Sequence, residues 1–131
     1  MDRNEQYREA IRRIDGGTNP RIPYFVIEMY NPETGKTSKF FQADRQRECK
    51  IAMGNAFKRV IVDLFGAKGF YGFAGMTAEA MQTLCKEFID KHGMTQSPQW
   101  KGTPTKGDLG FFLNEMLQWV QQHPDHKFRV S

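Results

Sequence analysis

The chain has 131 residues, is 39% hydrophobic, and carries eleven Phe, four Tyr and two Trp. That is enough for one core and one compact domain over residues 1–131, and the composition excludes a disordered chain. No apolar run approaches the roughly 18–20 residues of a membrane span, and a net charge of +4 is compatible with either a nucleic acid or an acidic protein as partner.

The first helix is predicted over residues 3–14. Asp2 followed by Glu5 makes a capping arrangement, and Tyr7, Ala10, Ile11 and Ile14 recur at helical spacing. Gly16 and Gly17 stop it, and the stretch lacks an apolar signal region. "TNPRIP" reads as a rigid loop, and "YFVIEMY" as a strand buried on much of both faces. "NPETG" is a turn and "KTSKFFQA" the returning strand of a hairpin. The embedded "GKTS" is no phosphate loop, because that motif needs a glycine where Tyr30 stands and a helix after the turn.

Asp44 is expected to cap a long helix reaching Phe65, with Cys49, Ala52, Met53, Ala56, Phe57, Val60, Ile61 and Leu64 as its core stripe. "GAKGFYGFAG" then reads as a corner whose glycines permit positive φ while its rings enter the core. Thr77 caps a helix to His92, which Gly93 ends. A polar connection carrying Trp100 follows, and Asp108 caps a last helix that stops at Pro124. "HKFRV" is either a short third strand on the hairpin edge or a tail. The expected fold is α+β: an antiparallel hairpin on three to four helices, in the order α-β-β-α-α-α. Cys49 and Cys85 fall on apolar helix positions as small hydrophobes, too few for a disulfide framework, so a reducing cytoplasm is expected.

The charge surplus is local. Residues 36–59 hold Lys36, Lys39, Arg45, Arg47, Lys50, Lys58 and Arg59 against Asp44 and Glu48, a net of +5. As a hairpin feeding a helix N-terminus, these cations would combine with helix amides to grip phosphate oxygens. "RQRECKIA" accordingly resembles the start of the second helix of double-stranded-RNA-binding domains, where a lysine cluster meets phosphates. "KGFYGF" resembles the aromatic motif of the RNA-recognition-motif family, in which alternate rings stack on bases. Tyr71 is inserted here, which breaks the two-residue spacing of Phe70 and Phe73. "GDLGFFLNEMLQWVQQHPDH" resembles the closing segment of small type VI secretion immunity proteins, without their secretory signal or paired cysteines. None of the three resemblances transfers a site.

His123, Asp125 and His126 straddle Pro124 rather than sharing a helical face, and His92 suits a helix C-terminus. No metal, cofactor or catalytic signature is read. The leading expectation is a non-catalytic nucleic-acid-binding accessory protein that contacts DNA or RNA phosphates through Lys36, Lys39, Arg45, Arg47, Lys50 and Lys58. Phe70, Tyr71 and Trp100 are the candidate aromatic contacts. With about five phosphate contacts, log affinity on duplex DNA would fall against log salt with a slope of roughly −4 to −5. The alternative is a protein-binding inhibitor or adaptor that sets the same patch against an acidic partner, with Trp100 or Trp119 as anchor.

Overall fold

The computed structural model describes residues 24–96 and 104–131; the first predicted helix and Trp100 lie outside the described residues. Four strands come first: β1 (Tyr24–Tyr30), β2 (Lys39–Gln42), β3 (Arg45–Glu48) and β4 (Lys50–Gly54). A 3-10 turn at Asn55–Phe57 leads into α1 (Lys58–Phe65), and a second 3-10 segment spans Gly66–Phe73. Helices α2 (Ala78–His92) and α3 (Lys106–Gln122) and strand β5 (Lys127–Val130) complete the described chain. The class is α+β with antiparallel sheets.

The long helix expected from Asp44 is corrected in its first half, which forms strands. Cys49, Ala52 and Met53 satisfy a helical stripe, but Ile51 and Met53 alternate equally well on one face of a strand. Pairing settles the ambiguity: Ile27 faces Ile51 and Phe25 faces Met53 across β1 and β4, and all four side chains join the core. Asp44 therefore sits in the Ala43–Asp44 turn between β2 and β3 rather than capping a helix.

The expected hairpin is corrected in its pairing. The turn after Tyr30 forms, with Asn31 N–H donating to Lys36 O at 2.9 Å and a bridge between Tyr30 and Thr37. Beyond that bridge, however, β2 leaves β1 and pairs with β3, while β1 takes β4 on one side and β5 on the other. "HKFRV" thus supplies the third strand, with Glu28 opposite Arg129 and Met29 opposite Phe128.

The two sheets meet under α3. Trp119 lies 5.9 Å from the Phe40 ring of β2 and 6.2 Å from the Phe128 ring of β5, fully buried between them. Helix α2 packs along α3. It starts at Thr77, whose side chain accepts from Ala80 N, and ends at Gly93 with φ 72°. Helix α3 is capped three residues earlier than expected, because Thr105 is the N-cap and Asp108 returns the bond as its capping-box partner. The glycine-rich segment is a corner, with Phe70 and Phe73 buried and Phe70 stacked 4.3 Å from Phe25. Among the described residues, no helix is long and apolar enough to cross a membrane.

Candidate functional site

A cleft of about 440 Å³ opens where the turn after β1, the β2–β3 hairpin and the α3–β5 corner converge. Its wall includes Lys36, Lys39, Phe41, Gln46, His123 and His126. The turn that carries Lys36 is held from below. Arg129 donates to Gly35 O at 2.9 Å, pairs with the buried Glu28 carboxylate, and lays its guanidinium 4.7 Å from the Tyr30 ring centre. Thr37 also donates to Glu28, so the last strand and the turn are stitched through one carboxylate.

The opposite wall is built by the end of α3 on the open edge of β2. Gln122 Oε1 accepts from Phe41 N–H at 2.7 Å and Gln122 Nε2 donates to Phe41 O at 2.9 Å, satisfying backbone groups that an edge strand otherwise leaves to solvent. His123 Nε2 donates to Lys39 O, since a carbonyl can only accept, which fixes the proton on that nitrogen. Pro124 ends the helix, and the chain then turns through a bond from His126 N–H to His123 O. The two imidazoles stack with centres 4.5 Å apart and planes 6° from parallel.

Ser38 Oγ and His126 Nδ1 share a hydrogen bond of 2.6 Å whose direction follows the ring's tautomer. The contact has the residue types of a nucleophile and base, but Ser38 is only 5% exposed. Among the described residues, no carboxylate orients the His126 ring by a hydrogen bond. The contact fixes the ring beside the cleft. Burial, then His123, push the His126 pKa below its ordinary value, against the pull of Asp125 and Glu33, so the neutral ring is favoured at pH 7.

The six cations read from the sequence do not form one face. Lys36 and Lys39 are exposed in the cleft wall. Arg47 leans inward, 3.0 Å from Glu115 and over the Phe40 ring, and is spent on packing α3. Arg45 is exposed at the hairpin tip on the Arg47 side, since Gln42 opposite Arg45 and Phe40 opposite Arg47 share that face. Lys50 lies on the other sheet, across from Glu28. Lys58 opens α1 and sits 5.6 Å from the Phe25 ring centre. No helix begins at Arg45, so the grip by helix amides is withdrawn along with the double-stranded-RNA-binding resemblance.

Of the candidate rings, Phe70 is 1% exposed and belongs to the core, while Tyr71 is exposed against the edge of Phe25, away from the cleft. Trp119 is fully buried and cannot anchor a partner. The ring that does reach the cleft is Phe41, 61% exposed and not among the sequence candidates, joined there by His123 and His126, which the sequence weighs only as metal ligands. Alternation signals Phe41, because Phe40 is the buried member of the pair and its neighbour must face outward.

A second cleft of about 680 Å³ between α1 and α2 is larger but sets three carboxylates, Asp63, Glu79 and Glu87, against Lys91 and His92 around Leu64 and Phe88. Those carboxylates disfavour phosphate, and the smaller cleft is the better candidate. Comparison with protein-family models, with curated proteins and with solved structures finds no match to this chain.

Proposed function

We propose that the protein is a non-catalytic nucleic-acid-binding accessory protein whose phosphate contacts come from Lys36 and Lys39. The observation that carries this reading is the convergence of those two lysines, from a turn and a strand, on one open cleft beside two imidazoles. Among the described residues neither lysine forms an ion pair, so both ammonium groups are available to an anion. Protonation of His126, whose pKa is lowered first by burial, adds cationic character to the cleft as the pH falls.

Two phosphate contacts replace the five expected from the charge count alone. On single strands, log affinity should then fall with log salt at a slope of about −1.4. The test is fluorescence anisotropy of labelled oligonucleotides at low salt, with wild type and the Lys36→Ala/Lys39→Ala double variant. Binding that weakens in the double variant, with a shallower salt slope, supports the proposal. Absence of binding at low salt, or a double variant that binds as wild type does, overturns it. An acidic protein surface would meet the same lysines; a partner retained from nuclease-treated lysate and lost in the double variant would favour that reading.

A further inference from the structure

We infer that the cleft takes unpaired nucleotides, with a base stacked on Phe41 and its backbone on Lys39; this rests on the nucleic-acid reading above. On the outward face of the β2–β3 hairpin, Phe41 stands directly across from Gln46, and Lys39 directly across from Glu48. Lys39 and Phe41 are two residues apart on one strand, roughly 6.5–7 Å along it, so an ammonium and a ring are offered in succession.

The ring is carried on a fixed backbone. Both the N–H and the C=O of Phe41 are held by the Gln122 amide, and the adjacent Phe40 is locked against Trp119. A planar ring 61% exposed on such a support offers a stacking platform with little further ordering. Gln46 beside it brings amide donors and acceptors that can meet the edge of any base, which fits tolerance of sequence rather than a code.

The stacking geometry disfavours a duplex. Its bases are stacked on one another and present no face to Phe41 unless they are pulled out. The surface therefore suits one backbone and one open base.

The experiment compares full-length protein against labelled oligothymidylate and oligouridylate of about twelve nucleotides, and against a duplex of equal length. Tighter binding of single strands than of the duplex is expected, with the DNA and RNA arms showing which backbone is preferred. Phe41→Ala should weaken single-strand binding by roughly 5- to 150-fold, the range for loss of one stacked base, while Tyr71→Ala changes nothing. Because Phe41 is a surface ring, its removal leaves the core in place, and circular dichroism of the variant checks this. If the duplex binds as well as the single strands, or Phe41→Ala leaves affinity unchanged while Lys36→Ala lowers it, this inference fails and the nucleic-acid reading survives. If no oligonucleotide binds, both fall.

Discussion

Ala43 has φ 54° at the first position of the two-residue turn between β2 and β3, and is the one non-glycine residue with positive φ among those described. A side chain in that region costs roughly 1–2 kcal/mol, whereas glycine is free of the clash but gives the unfolded chain about 0.4–1 kcal/mol of extra entropy. Ala43→Gly should therefore raise stability by about 0.5–1 kcal/mol in urea denaturation, and a loss would mean the turn relaxes elsewhere. Trp119 poses a different question. Its Nε1 is buried without a hydrogen-bond partner among the described residues, although its ring joins the two sheets. Trp119→Ala removes that ring and should cost about 3–5 kcal/mol. Trp119→Phe keeps much of the contact and also removes an unsatisfied donor worth about 1–3 kcal/mol, so it should cost under about 2 kcal/mol. Equal losses in the two variants would show that the indole N–H is satisfied after all.

Between elements, a close backbone approach joins α2 and α3. A methyl group on Gly110 would lie 2.2 Å from Gly93 O, so the end of one helix and the start of the next meet through two glycines. Alanine is favoured over glycine in a free helix by about 1 kcal/mol, yet here it must force backbone apart at roughly 1–3 kcal/mol. Gly110→Ala should lower the thermal midpoint, and a higher midpoint would show that the helices can separate without loss. Helices α2 and α3 were legible, because Thr77, Gly93 and Pro124 act within a few residues of where they stand. The strands at Arg45–Glu48 and Lys50–Gly54 were not, because the apolar residues between Cys49 and Met53 fit both periods and only pairing with β1 decides. The same holds for the cleft. Lys36 and Lys39 show in the local charge, but the roles of His123 and His126 depend on Lys39 and Ser38, 84 and 88 residues earlier in the chain.

For the whole molecule, two half-buried histidines and two buried thiols set limits on stability from both sides of neutral pH. His126 and His92 both have pKa values lowered from 6.5, first by burial and then by neighbouring positive charge: His123 for one, Lys106 and Lys91 for the other. As pH falls through 6.5 the unfolded chain takes up protons that the folded chain refuses, so stability drops until the folded values are passed. On the alkaline side, burial pushes the Cys49 and Cys85 thiols up to about 12, with Glu115 adding to the effect at Cys49. Above pH 9 the unfolded thiols ionise while the folded ones keep their protons, and stability falls again. Urea midpoints measured from pH 5 to pH 10 should thus form a plateau between about 6.5 and 9, with His126→Gln reducing the acid slope and Cys85→Ala the alkaline one. A midpoint that rises on acidification from 6.5 would contradict the placement of His126. The site adds one more consequence. An anionic strand in the cleft favours the protonated imidazole, so saturating oligothymidylate should reduce the acid loss in wild type and have no such effect in the Lys36→Ala/Lys39→Ala variant.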